Sequence, residues 1–191
     1  MTITTRTSAR GIRSTAEDQR IRILACAVEV FARSGYRATP VADIAAAAKV
    51  STAYVFRLFD GKLGLFVAAV DSCYGQVGAA LTAAIDQHPS TDPGERLEAM
   101  SRAYIELIRD RSLIALQVHA QSACDVPEIR DAVRRGIAEI VRLMSRESGA
   151  DDASVQQALA YGQLCHLVVQ VGLGDVDASW ARVVDRGIRH D

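Results

Sequence analysis

Residues 41–66, VADIAAAAKVSTAYVFRLFDGKLGLF, decide how this chain is read. Val41, Ile44, Ala45 and Ala48 recur at the i, i+3/i+4, i+7 spacing that lays one apolar stripe along a helix. Just upstream, Thr39 offers an N-cap and Pro40 a first helical residue, where a missing N–H costs nothing. Lys49-Val50 makes a short connection, and Ser51 caps a second helix on which Ala53, Phe56 and Phe59 are expected to face inward. Thr52, Tyr54 and Arg57 then point outward. Two short helices joined by a tight turn form the helix-turn-helix plan, whose second helix enters the DNA major groove.

The surrounding residues support that reading through charge. Residues 1–62 carry ten Lys/Arg against five Asp/Glu, a net +5, while the remainder carries −6, so the overall −1 conceals a basic end on an acidic body. That asymmetry suits a protein of which one end meets DNA phosphate. Residues 1–15, rich in Thr, Ser and Arg, read as a flexible basic arm whose Arg6, Arg10 and Arg13 could lie along phosphates or in a minor groove. Residues 16–34 read as an amphipathic helix with Ile21, Leu24, Ala25, Val28, Phe31 and Ala32 on one face and Gly35 as its stop. The expected DNA-binding domain is therefore 16–63.

Gly35, Tyr36, Thr39, Ile44, Ala45, Ala48, Val50, Ser51, Phe56, Phe59, Lys62 and Leu65 together make a Gly-Tyr-x-x-Thr lead-in, an Ile-Ala-x-x-Ala helix, Val-Ser, and an aromatic-x-x-Phe-x-x-Lys-x-x-Leu ending. This pattern resembles the tetracycline-repressor (TetR) family of transcription factors. Three positions depart from it. Lys49 stands where the family's turn usually has Gly, Phe56 where a Tyr hydroxyl often reaches a phosphate, and Tyr54 where a small residue is common.

From residue 64 to 191 the pattern is helical: a long helix 64–85, a Pro-rich loop 86–94, and helices over 95–109, 113–123, 127–147, 155–173 and 178–189, the last carrying Trp180. No alternating strand pattern appears, so the fold class is all-α, with a helix-turn-helix head and a helical regulatory and dimerisation domain. Residues 155–173 are apolar around the whole circumference, and such a helix must be covered on all sides. The expectation is a homodimer through helices 127–147 and 155–173, and the resemblance implies the same, because family members dimerise through C-terminal helices in a four-helix bundle.

Enzyme chemistry finds no foothold. The four histidines (88, 119, 166, 190) share no helix face with a nucleophile, and no H-E-x-x-H or phosphate-cradling Gly-rich loop is present. Four scattered cysteines (26, 73, 124, 165) lack metal-ligand spacing and suit a reduced compartment. No catalytic residue, metal or cofactor is expected. Without an h-region or an uninterrupted apolar run of membrane-spanning length, the chain reads as cytoplasmic, with no membrane partner.

Double-stranded DNA, as a palindromic operator, is the expected partner, contacted by Thr52, Ala53 and Tyr54 at base edges, Arg57 at guanine or phosphate, and Thr39, Ser51 and Lys62 at the backbone. The resemblance implies a small-molecule effector that releases a repressor from its site. Tyr74, Met100, Tyr104, Gln117, His119, Gln121 and His166, polar or adaptable residues among apolar helical positions, are the residues expected to line its pocket. Two rival readings are a helical binding protein or enzyme that uses the helix-turn-helix only as scaffold, and a constitutive regulator with a filled core.

Overall fold

The computed structural model describes the backbone of residues 8–186 and the side chains of residues 16–186. Arg6, His190 and the end of the expected helix 178–189 lie outside these. Nine α-helices and no strand occur among the described residues. They are α1 (Ser8–Ala38), α2 (Val41–Ala47), α3 (Thr52–Phe59), α4 (Gly61–Gln87), α5 (Pro93–Leu107), α6 (Arg111–Ser122), α7 (Pro127–Ser148), α8 (Asp152–Val171) and α9 (Ser179–Val184). Helix α1 starts inside the stretch expected to be a flexible arm. It is broken at Gly35, where φ is 69°, a left-handed turn that glycine adopts without steric cost.

Capping residues set most of the boundaries. Ser51 accepts from the Tyr54 amide at 3.2 Å, Asp92 from Glu95 at 2.9 Å, Asp110 from Ser112 at 3.0 Å and Asp151 from Ser154 at 2.7 Å. The expected cap at Thr39 is not formed. Pro40 is extended (ψ 138°), so α2 begins one residue later, at Val41, and the Thr39 hydroxyl is out of reach of its amides. Lys49 takes the left-handed backbone of the turn, at φ 55°, although it is not glycine.

Two helix faces are turned from their expected phase. On α1, Ile21 is 60% exposed and Ala25 is exposed, while Ile23 and Ala27 join Val28, Phe31 and Ala32 in the core. Apolar residues occur on several sides of this helix, and its packing on α4 and α6 selects the stripe. On α3, Val55 and Phe59 are buried, one turn apart, while Ala53 and Phe56 face out. Arg20 fixes that orientation: it donates to the Leu58 carbonyl at 3.4 Å and lies 4.6 Å over the Phe59 ring.

Helix α4 is the axis, buried at ten positions from Leu65 to Ile85 and packed on α1, α3, α5, α6 and α7. By length and composition it could cross a membrane, but those ten residues belong to the protein's core. At its start Phe66 lies edge-on to Phe31 (4.8 Å between centroids) and 5.2 Å from Tyr36. One hydrophobic core therefore runs without interruption from Ile23 and Ile44 in the head to Met144 and Val155 in the body.

Further along α4, Tyr74 packs against α7 at Gly136, where a Cβ would sit 2.2 Å from a ring carbon. Gly136→Ala should therefore destabilise the protein by about 1–2 kcal/mol in urea unfolding, the clash outweighing a gain of about 1 kcal/mol in helix propensity. In a Tyr74→Ala background the same change should become stabilising; a loss there too would mean that the ring is not what Gly136 accommodates.

Candidate functional site

The first candidate surface is the outer face of α3. Thr52 and Tyr54 are half-buried, and Ala53, Phe56 and Arg57 are exposed, with Phe56 at 46%. The Arg57 guanidinium lies 5.2 Å from the centre of the Tyr54 ring, so the two side chains form one stacked unit. Lys49, exposed in the turn, adds a cation at the start of this face. A hydroxyl, a methyl, an aromatic ring and a guanidinium on one short helix are the groups that read base edges and thymine methyls.

Other sequence-derived contacts are already engaged within the protein. The Ser51 hydroxyl caps α3. Lys62 donates to the Arg37 carbonyl at 3.0 Å and sits 5.3 Å over the Tyr36 ring, and burial lowers its pKa. Arg37 is ion-paired with Asp125, beyond the end of α6. Thr39 is buried, and its hydroxyl finds no partner among the described residues. It is not displayed to a phosphate, because the turn into Pro40 directs it into the core of the head.

A second site lies in the body. A cavity of about 80 Å³ opens between α4, α5, α6, α7 and α8. Tyr74, Met100, Tyr104 and Gln117 line it together with residues not singled out from sequence, among them Val77, Leu81, Ser101, Ile140, Met144, Tyr161 and Cys165. Val77 and Leu81 lie one and two turns beyond Tyr74 on the same face of α4, and that spacing would have found them. His166 is buried behind this wall, its Nε2 hydrogen-bonded to the Tyr104 hydroxyl. Gln121 is exposed and donates to Gln163, a lining residue, at 3.2 Å.

His119 is elsewhere. Its imidazole fills the space beside Gly35, where a Cβ would lie 2.7 Å from Nδ1, so it joins α6 to the corner of the head. Its position on α6 two residues from Gln117 turns it away from the cavity.

Burial keeps the cavity's surroundings neutral. It pushes the Cys73 thiol up to about 12 and the Cys165 thiol up to about 11, and raises both the Tyr74 and Tyr104 phenols. It pushes the His166 imidazole down to about 4. No Asp, Glu, Lys or Arg lines the cavity, and no group of side chains suited to a metal ion occurs among the described residues.

Residues 23–69, from the middle of α1 through the first turns of α4, match the family described as bacterial regulatory proteins, tetR family. Over that stretch the chain is similar to the TetR family. It is 27% identical over 146 residues to the HTH-type transcriptional activator FasR of Mycolicibacterium smegmatis, a match covering 74% of this chain and 66% of that protein. It thus spans a little under two thirds of that relative's length.

In fold this chain is similar to a TetR transcriptional regulator from Legionella pneumophila (TM-score 0.69, 22% identity, 100% of this chain and 96% of that one). It is also similar to FadR from Bacillus subtilis, whose structure is in complex with stearoyl-CoA (TM-score 0.68, 17% identity, 88% and 97%).

Two outcomes follow from these local geometries. Lys49→Gly removes a left-handed non-glycine residue, and should raise unfolding stability by up to about 1 kcal/mol in urea titration. A loss would mean that the lysine side chain holds the turn. For His166, the folded pKa near 4 lies below the ordinary 6.5, so the unfolded chain takes up the proton first as pH falls. Stability from this group should be intact above pH 6.5 and decline towards pH 4, by about 3 kcal/mol in all. His166→Gln should flatten that part of the profile; an unchanged slope would place its source in other groups.

Proposed function

We propose that this TetR-family regulator acts as a homodimeric repressor, reading a palindromic DNA site through α3 and losing affinity for it when a small molecule occupies the body cavity. The observation that carries the reading is the exposed face of α3, with Arg57 stacked on Tyr54 beside Ala53 and Thr52. The contacts proposed are Thr52, Ala53, Tyr54 and Arg57 to bases or nearby phosphate, with Lys49 and the exposed Phe56 at the rim. In the proposed domain division the head ends near residue 63. A chromosomal partner puts the protein in the cytoplasm. The relatives' printed roles are regulatory rather than enzymatic.

Dimerisation is supported by apolar side chains left uncovered in one chain. Leu167 and Val171 on α8, and Trp180 and Val183 on α9, are exposed, Val183 at 74%. The outer face of α7 instead carries Asp131, Arg134, Arg135, Glu139 and Arg142, with Ile137 its one large exposed apolar residue. The proposed interface is therefore α8 with α9, in place of the pairing of 127–147 with 155–173. A two-fold dimer of this kind is expected to read half-sites about 34–36 Å apart, one helical turn of DNA.

Release needs a ligand with different affinities for two arrangements of the heads. Helices α4 and α6 could transmit that difference, because each touches both the cavity and the head. Helix α4 brings Tyr74 to one and Phe66 to the other; α6 brings Gln117 and His119. The name of FasR as an activator favours a second reading, in which a site upstream of a promoter reverses the sign of regulation.

Selection of bound fragments from the source organism's DNA, titrated at several salt concentrations, tests the proposal. A palindromic site should emerge that binds far more tightly than random DNA. Arg57→Ala should weaken that binding by about 1–3 kcal/mol without lowering thermal stability. Equal, salt-sensitive affinity for every fragment would overturn the operator reading.

A further inference from the structure

The cavity's walls specify more than a space. Its lining holds no charged side chain, and the groups around it are neutral near pH 7. A carboxylate, phosphate or ammonium brought here would be desolvated without a counter-charge, a penalty of several kcal/mol. At about 80 Å³ the cavity is also smaller than the roughly 150 Å³ space that accepts a benzene ring. Met100 and Met144 are unbranched and adaptable, and the cavity reaches the surface at exposed Ile137 and Gln163, so one ring or a short branched chain can be admitted. A chain as long as stearoyl cannot enter without rebuilding the body.

One polar cluster interrupts the apolar wall. The Tyr104 ring packs on α8 beside Gly162, where a Cβ would lie 3.4 Å from it, in ordinary van der Waals contact. The Tyr104 hydroxyl meets His166 Nε2 and interacts with the Gln117 amide, which also donates to the Leu113 carbonyl at 3.4 Å. His166 Nδ1 is buried with no partner among the described residues. A buried N–H without an acceptor is rarer than an acceptor without a donor, so the imidazole hydrogen belongs on Nε2. It then donates to the Tyr104 oxygen, and the phenolic hydrogen of Tyr104 is left to be donated into the cavity.

We propose that the effector is an uncharged, compact, mainly apolar molecule carrying one acceptor oxygen, of the ketone, ester or lactone type, that accepts a hydrogen bond from Tyr104. This rests on the reading of the cavity as the effector site and gives that site its chemistry. Acyl-CoA thioesters, with their phosphates and long chains, fall outside the class.

Three probes of one shape test it on the full-length protein by calorimetry at pH 7: acetophenone, with the carbonyl; ethylbenzene, without it; and benzoate, with a charge. Acetophenone should bind at least tenfold more tightly than either of the others. Tyr104→Phe, which keeps the ring on Gly162, should abolish the advantage over ethylbenzene and leave ethylbenzene binding unchanged. Equal binding of acetophenone and ethylbenzene to the wild type would overturn the role of Tyr104. Benzoate as the tightest probe would overturn the uncharged class while leaving the cavity as effector site. No heat with any of the three would overturn that site, and the proposal with it.

Discussion

The burial of Phe66 between Phe31 and Tyr36 is the contact on which the rest of the molecule depends. It fastens the first turns of α4 to both sides of the Gly35 corner, so the helix that closes the head is also the longest element of the body's core. A helix bound along its length in this way cannot tilt in the body and stay still in the head. Interiors are close-packed, and displacement of one rigid element is carried to its neighbours rather than absorbed.

Ring contacts at glycine repeat that logic at three places, the first two of them too close to admit a Cβ. Gly35 receives His119 from α6, Gly136 receives Tyr74 from α4, and Gly162 receives Tyr104 from α5. The first contact ties the head to α6, and the other two position tyrosines of the cavity. The Arg37–Asp125 ion pair adds a further link between head and body, but both side chains are well exposed, so its contribution is small beside that of the packed rings. Ordering of the cavity and docking of the head thus share the same helices.

Much of this was legible in the residues. The helix-turn-helix followed from period and capping, because Ser51 satisfies a helix amide through a local bond that needs no distant partner. The resemblance to the TetR family followed from the spacing between Gly35 and Leu65. Helix phase was less secure. In α3, both Val55/Phe59 and Phe56/Phe59 are helical pairs, and only the placement of Arg20 and the neighbouring helices decides that Val55 is inside. The pocket was half legible: Tyr74, Met100, Tyr104 and Gln117 sit at helix-face positions that converge, whereas nothing local distinguishes His119, which faces Gly35 instead of the cavity.

By itself, then, the sequence determined an all-helical chain with a basic head, the location of most of its turns, and a resemblance of that head to a regulatory family. Those properties depend on periodicity and on contacts within a few residues. The tertiary structure alone decided which stripe of α1 and α3 is buried, why Thr39 is buried and Lys62 is engaged within the head, and why α8 and α9 leave more apolar surface uncovered than α7. It also decided that Tyr104, Gln117 and His166 meet from three helices in a cavity without charge. These outcomes depend on side chains far apart in the chain, Tyr104 and His166 by 62 positions, whose encounter is fixed by packing and not by spacing.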